Sequence, residues 1–279
     1  YFVMKIFYLL LGIFTFVELN CENLFDTQHD SLKNDTEFLP DSYHHWNNGK
    51  YWKKLNHIGQ EIIACGEDSE RWMLPDMVAL CEVENDSVMR DLTKRSLLRQ
   101  ARYEYIVTNS PDERGIDVAL LYSPFSFQLI DWHAIRVKPI KDMRPTRDIL
   151  YASGRVISGD TVHVFVVHAP SRAGGELVSR PNRMAVAKKL TSAIDSVKAI
   201  SPLAKIIVAG DFNDYINDKS LQYICNSGMT DVSADAHGNN GAKGTYKFKG
   251  EWGSLDHLFC SNALRTMVIG CCIADYKFL

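Results

Sequence analysis

What this 279-residue sequence lacks narrows its function before any motif is read. Basic residues are not in excess: 31 Lys and Arg stand against 34 Asp and Glu, giving a formal charge of −3 and a pI near 6.3. A global positive field that would draw in nucleic acid is therefore excluded, and any phosphate binding must be local or carried by a metal ion. The seven cysteines follow no metal-ligand spacing. An odd, unpatterned set reads as buried free thiols rather than a disulfide framework or a zinc site. The Gly-x-Ser-x-Gly turn of serine hydrolases is missing. Low-complexity tracts, internal repeats and Pro/Ser-rich linkers are missing too, which leaves a single domain. The apolar-leaning run Ile6 to Val17 has only twelve residues, too few to span a bilayer. Behind Met4 and Lys5 it has the charged start and apolar centre of a secretory signal. Residues 1–13 are thus expected to form a signal-like hydrophobic lead-in and 14–279 the domain. Export or a periplasmic place follows if the lead-in acts as a signal, a cytoplasmic place otherwise, and no transmembrane span is expected.

What is present is material for a large core, since 46% of the residues are hydrophobic and 11% aromatic. The strongest strand is Lys205–Asp211, whose Ile-Ile-Val-Ala run reads as buried on both faces. Gly210 ends it, and Asp211 and Asn213 follow two apart, on one side of an extended chain. Further strands are expected at Phe14–Leu24, Asp76–Val83, Tyr103–Thr108, Ile116–Tyr122, Phe125–Val137, Ile149–Ile157 and Val162–Val167, and around Tyr246, Leu258 and Val268. Tyr51, Leu55, Ile58 and Ile62 fall at helical spacing, which predicts an amphipathic helix over Tyr51–Cys65. A second helix runs from Asp86 as its cap to about Leu98, a third over Arg183–Ile200 behind Pro181, and a short one over Leu221–Cys225. Many strands with few helices add up to sheets covered by helices.

Polar residues of one chemical kind recur at the strand ends. Asn20 and Glu22 end the first strand, Glu82 the second, His168 the run Val-His-Val-Phe-Val-Val-His, and Asp211 and Asn213 the next; Asp256 lies in Ser-Leu-Asp-His-Leu-Phe. Carboxylates, an amide oxygen and room for water are what a hard cation such as Mg²⁺ requires. Each taken singly is also an ordinary capped strand end, and His168 alone reads as a hydrogen-bonded structural histidine.

Taken together, the blocks Leu19–Asp26, Leu80–Asn85, Arg114–Tyr122, Val167–Arg172, Gly210–Asp214 and Gly253–His257 resemble the endonuclease/exonuclease/phosphatase superfamily in that superfamily's order. The resemblance implies a deoxyribonuclease I-like α/β fold, a four-layer α/β/β/α sandwich, with the site where both inner sheets present their strand ends. It implies Glu82 as main metal ligand with Asn20 beside it, for Mg²⁺ or, alternatively, Mn²⁺. Asp211 would orient or deprotonate the attacking water, Asn213 hold the scissile phosphate, and His168 donate to a phosphoryl oxygen or the leaving group. Among the arginines flanking His168 (Arg144, Arg147, Arg172, Arg180 and Arg183), Arg172 and Arg183 are taken as the phosphate clamps. Asp256 matches a carboxylate that in the superfamily orients a later histidine; the sequence stops at Leu279 without one, so a missing last strand and weak turnover are expected. Adjacent His257 is not its replacement, because neighbouring strand residues face opposite ways. The implied function is a Mg²⁺-dependent phosphodiesterase, nuclease-like, acting as a monomer on a phosphoester such as nucleic acid. Its alternatives are a phosphomonoesterase, a lipid phosphodiesterase or a non-catalytic phosphate-binding module. The Trp-Cys-Asp-Arg block of inositol phosphatases does not occur.

Overall fold

The computed structural model describes residues 3–6, 14–66 and 72–276. Its first five strands are β1 (Val3–Ile6), β2 (Phe16–Leu24), β3 (Met77–Val83), β4 (Glu104–Val107) and β5 (Asp117–Tyr122). They form one sheet in the order β14-β1-β2-β3-β5-β4, with β14 (Cys271–Ala274) returning from the far end of the chain. The second sheet holds β6 (Phe127–Ile135), β7 (Ile149–Val156), β8 (Thr161–His168), β9 (Lys205–Asp211), β10 (Met229–Asp231) and β13 (Asp256–Ser261). Its order is β10-β13-β9-β8-β7-β6. Strands β11 (Tyr246–Phe248) and β12 (Glu251–Gly253) pair as a separate ribbon. Helices are α1 (Asn48–Ala64), α2 (Asp86–Arg90), α3 (Glu176–Ile200), α4 (Lys219–Asn226) and α5 (Asn262–Arg265).

Period-two alternation sorts the strand residues into layers. In β2, Val17, Leu19 and Cys21 pack with Tyr51, Leu55, Ile58 and Ile62 of α1, while Phe16 faces the other way. In β9, Ile206 and Val208 pack under Leu190 and Ile194 of α3 and Leu221 of α4. The intervening Ile207 and Ala209 meet Phe16, Met77 and Ala79 of the first sheet. Helix, sheet, sheet, helix is therefore the observed stacking. Each fully buried Val, Leu, Ile or Phe contributes roughly 1.5–3 kcal/mol. The sheet-on-sheet seam is thus a main source of stability, and a polar side chain inside it calls for explanation.

Several sequence expectations shift. The α1 prediction starts slightly late, because Asn47 caps the helix by accepting from the Lys50 amide. The helix expected from Asp86 is capped by Asn85 instead and is short; the chain then passes through a π-helical turn at Asp91–Arg95 and a 3-10 turn at Leu97–Gln100. Pro181 lies inside α3 rather than at its start. The strand expected around Val268 is absent, its place taken by a turn before β14. Of the hydrophobic lead-in, Val3–Ile6 is strand β1, paired with β2 and β14, and the rest lies outside the described residues. No helix among the described residues is long and apolar enough to cross a membrane.

Candidate active site

The candidate site is the wet end of the seam, made by the same alternation that builds it. On β8 the inward row Val162, Val164, Val166 ends in His168; on β9 the row Ile207, Ala209 ends in Asp211; on β13 Cys260 and Leu258 lead to Asp256. Cross-strand register places His168 beside Asp211 and Asp211 beside Asp256. From the first sheet, β2 carries Phe16, Glu18 and Asn20 inward, and Asn20 Nδ2 donates to Asp211 Oδ2 across the seam at 3.0 Å. Glu82 stands where the β3 register shifts between Cys81 and Val83; its φ of 58° is left-handed, a costly state for a side chain with a Cβ. That kink turns Glu82 toward the seam, 3.6 Å from His168 Nε2. Glu22 and Asn23 adopt the same backbone region at the shift in β2, and the Lys54 ammonium holds the Glu22 and Asn23 carbonyls.

Two glycine and asparagine positions matter here. A Cβ on Gly210 would lie 1.8 Å from the Val167 carbonyl oxygen, so only glycine lets β9 approach β8 this closely. Asn213 does not continue an extended strand as its spacing suggested: φ is 52°, and its amide N–H turns back to Asp211 Oδ1 at 2.8 Å. Its side chain donates to the Ala169 carbonyl at 3.1 Å.

Burial raises the carboxyls above their usual range. Asp211 is pushed up by burial and then by the charges of Asp256 and Glu82; burial brings Asp256 to about 7. Burial also raises Glu82, with Arg114 and Arg147 opposing. His168 Nε2 lies 3.6 Å from Glu82 and 3.8 Å from Asp211, yet these are contacts of a neutral ring. Burial, with the guanidinium groups of Arg147 and Arg114, holds the imidazole well below its usual range. The cluster therefore holds more buried acid than it has positive charge to balance.

Oxygen donors dominate this set, and Asp256 Oδ1 is buried with no hydrogen-bond partner. Among the described residues, no group of three His, Cys, Asp or Glu side chains forms a ready cage for a metal. The donors fit a hard cation that keeps most of its waters and takes one or two carboxylates, the habit of Mg²⁺.

Arg183 and Arg172 require correction as phosphate clamps. Arg183 is among the most buried side chains, with its Nε 2.6 Å from Asp214, itself buried. Arg172 is held by Asp218 at 2.7 Å and lies over the Tyr215 ring. Both guanidiniums are committed to acids on the chain that follows Asp211. His257 faces away from the cluster, as alternation required, and contacts Asp231 Oδ2 and the Asp214 carbonyl.

Glu18 went unread in the sequence, and Arg147, named there among the arginines flanking His168, takes a bracing part. Glu18 is fully buried one pleat beneath Asn20, neither oxygen is hydrogen-bonded, and burial, Asp256 and Asp211 raise it well above the usual range. Its signal was available: an acid in the inward row between Phe16 and Asn20. Arg147, one of several flanking arginines, braces the end of β8. Its Nε donates to the His168 carbonyl at 3.2 Å, Nη2 to the Ala169 carbonyl at 2.7 Å, and Nη1 to Asp112 at 3.1 Å.

A four-layer sandwich with an acidic cluster where its inner sheets meet defines a class, and comparison with known proteins gives the family. The Endonuclease/Exonuclease/phosphatase family profile matches residues 15–277, and the chain belongs to that family, one of phosphoester hydrolases. Among similar solved structures, the human Nocturnin catalytic domain with bound sulfate anion is 20% identical, with a TM-score of 0.56 over 76% of this chain and 74% of that one. Truncated TDP2 from Caenorhabditis elegans is 18% identical, with a TM-score of 0.55 over 77% and 78%. A mannosyl-6-phosphatase from Bacteroides thetaiotaomicron VPI-5482 is 14% identical, with a TM-score of 0.60 over 89% and 85%. At these identities the likeness is one of fold. No curated protein matches the sequence.

Proposed function

We propose that this chain is a divalent-cation-dependent phosphoesterase, cleaving phosphodiesters in the manner of a nuclease. The observation that carries the reading is the in-register row His168, Asp211 and Asp256 on one sheet, facing Asn20 and Glu82 on the other. Glu82 and Asn20 would hold Mg²⁺ or Mn²⁺. Such an ion, when bound, lowers the pKa of a coordinated water and neutralises charge gathering on phosphorus.

The chain's own groups do the rest. Asp211, pushed up by burial and by acidic neighbours, suits the task of taking a proton from water near neutral pH. The backbone turn at Asn213 fixes one Asp211 oxygen by an N–H donor and leaves the other to Asn20. The Asn213 amide is the nearby neutral donor for a phosphoryl oxygen. His168, held neutral, presents one N–H, and its Nδ1 has no partner in the protein. A neutral imidazole stabilises the departing oxygen by donating that hydrogen bond. Asp256 keeps the third position of the row, with one oxygen free for water or an ion.

The test is hydrolysis of plasmid DNA, bis(p-nitrophenyl) phosphate, p-nitrophenyl phosphate and sphingomyelin with Mg²⁺, Mn²⁺ or EDTA. Diester cleavage that needs the metal and falls ~10²–10⁴-fold in Asp211→Asn is expected. Cleavage of monoesters alone assigns a phosphomonoesterase instead. Phosphate binding without turnover assigns a binding module, and full activity in Asp211→Asn removes Asp211 from its role.

A further inference from the structure

Beside the cluster lies a pocket of about 680 Å³, walled by the loop between β6 and β7, the turn at residues 112–114 and the start of α3. It adjoins the site through Arg147 and Pro170: Arg147 holds the carbonyls of His168 and Ala169, and Pro170 follows them in the chain. In a protein of net charge −3, this pocket gathers Arg114, Lys141, Arg144 and Arg147 against Asp112, Glu113 and Asp142. The buried pair Arg147 and Asp112 cancels at 3.1 Å. Three cations then face two acids. They are loosely held: Arg114 is 3.9 Å from Asp112, and Arg144, 88% exposed, is 3.9 Å from Glu113. The Arg144–Glu113 pair is exposed and weak at that distance, and half-exposed Arg114 only shares Asp112 with Arg147, so both guanidiniums are free to turn to a ligand. Among the described residues Lys141 makes no ion pair and is exposed. A second, independent sign is Thr146, which lines the same pocket, is 2% exposed, and has a hydroxyl with no hydrogen-bond partner. The charge of Arg114 reaches both Glu82 and His168, which sets this residue between pocket and cluster.

We propose that this pocket is a second anion subsite, which takes a further phosphate of the substrate adjoining the one that is cleaved, with Arg114, Lys141 and Arg144 as its cations. It rests on the phosphoesterase reading and narrows it to substrates bearing two neighbouring phosphates. The chemistry favours phosphate, because guanidinium forks bind its oxygens in pairs. The arrangement also supplies locally the positive field that the overall composition withholds.

The test compares the p-nitrophenyl ester of thymidine 5′-phosphate with the same ester carrying a 3′-phosphate, using the full chain and Mn²⁺. The bisphosphate is expected to be cleaved with at least a ~10-fold higher kcat/KM, chiefly through KM, the scale of one or two charge-assisted hydrogen bonds. In Lys141→Ser/Arg144→Ser, with a melting temperature matching the parent, that ratio should fall to about 2–3. Equal rates on the two esters, or an undiminished ratio in the double variant, overturn the proposal. Fructose 1,6-bisphosphate against fructose 6-phosphate, run in parallel, tells a sugar source from a nucleotide one. If no ester is cleaved, the phosphoesterase reading fails, and the pocket is judged on its own by calorimetry with pyrophosphate. Binding that weakens at least ~10-fold in the double variant then supports it, and no binding, or binding left unaltered, sinks it.

Discussion

Replacing Gly210 by Ala probes how tightly the fold and the site are joined. The new Cβ would stand 1.8 Å from the Val167 oxygen and 2.8 Å from its carbonyl carbon, and the residue would keep a φ of 140°. Relief of more than 1 Å is needed, and the atom in the way is backbone, which cannot rotate aside. Holding a residue with a Cβ in that backbone region costs on the order of 1–3 kcal/mol. Overpacking a well-filled interior costs about 1–3 kcal/mol more. Their sum, about 2–6 kcal/mol, is a large share of the roughly 5–15 kcal/mol that stabilises a typical domain. At about 2–4 °C per kcal/mol, melting should fall by roughly 4–24 °C. The same displacement parts Val167 from Gly210 and His168 from Asp211, so activity per folded molecule should drop as well. Gly159→Ala is the control: φ is 87° but nothing lies within 4 Å of its Cβ, so only the backbone part remains. Urea and thermal denaturation of both variants decide the matter. A Gly210→Ala midpoint within about 2 °C of the parent would refute the reasoning.

Further outcomes follow from other groups. Burial raises Glu61 to about 7 and Glu84 to about 8, so both favour the folded state when protonated. That contribution is complete at pH 4 and is lost as pH climbs through 7 to 8. For Glu61 the loss is about 3 kcal/mol at ~1.4 kcal/mol per pKa unit. Melting temperature in metal-free buffer should therefore decline from pH 5 to pH 8.5, and Glu61→Gln should flatten the decline; an unchanged slope removes Glu61 from the account. Arg183→Leu strands a buried carboxylate at Asp214 and should cost about 3–5 kcal/mol, while kcat/KM per folded molecule stays within about threefold. A selective loss of activity would return Arg183 to the substrate. Lys54→Ala frees the carbonyls of Glu22 and Asn23 at the β2 shift. The Mn²⁺ concentration for half-maximal activity should rise about tenfold, and an unchanged value denies that Lys54 steadies the end of β2 that carries Asn20.

The layers and most strand positions were legible because alternation and helical spacing are local. The β9 run and the α1 stripe sit close to where their apolar periods placed them. So did the polar strand ends, and Asn20, Glu82, His168, Asp211 and Asp256 converge at one end of the seam. What was lost depends on partners distant in sequence. Nothing near Arg183 reveals that Asp214 neutralises it, and its position beside the His168 block made it look available. Glu18 was passed over because an acid in a strand is usually assumed to face water; only the opposing sheet shows that it does not. The turn at Glu82 escaped notice because left-handed backbone at a glutamate leaves no compositional mark, whereas Asn213 is of a turn-forming type and does carry one. The break after α2 and the loss of the strand at Val268 are contests between weak local preferences that packing decides.

The division of the cluster between two sheets gives the molecule an unusual dependence. A piece holding β2 and β3 would own Asn20 and Glu82 but not His168, and one holding β8, β9 and β13 would own His168, Asp211 and Asp256 but neither of the others. Strand β14, supplied from the far end, laces the halves together. With Glu82 and Asn20 on one leaf and His168, Asp211 and Asp256 on the other, a substrate held by both would act as a rivet, and whatever tightens the grip on it would also resist the two leaves coming apart.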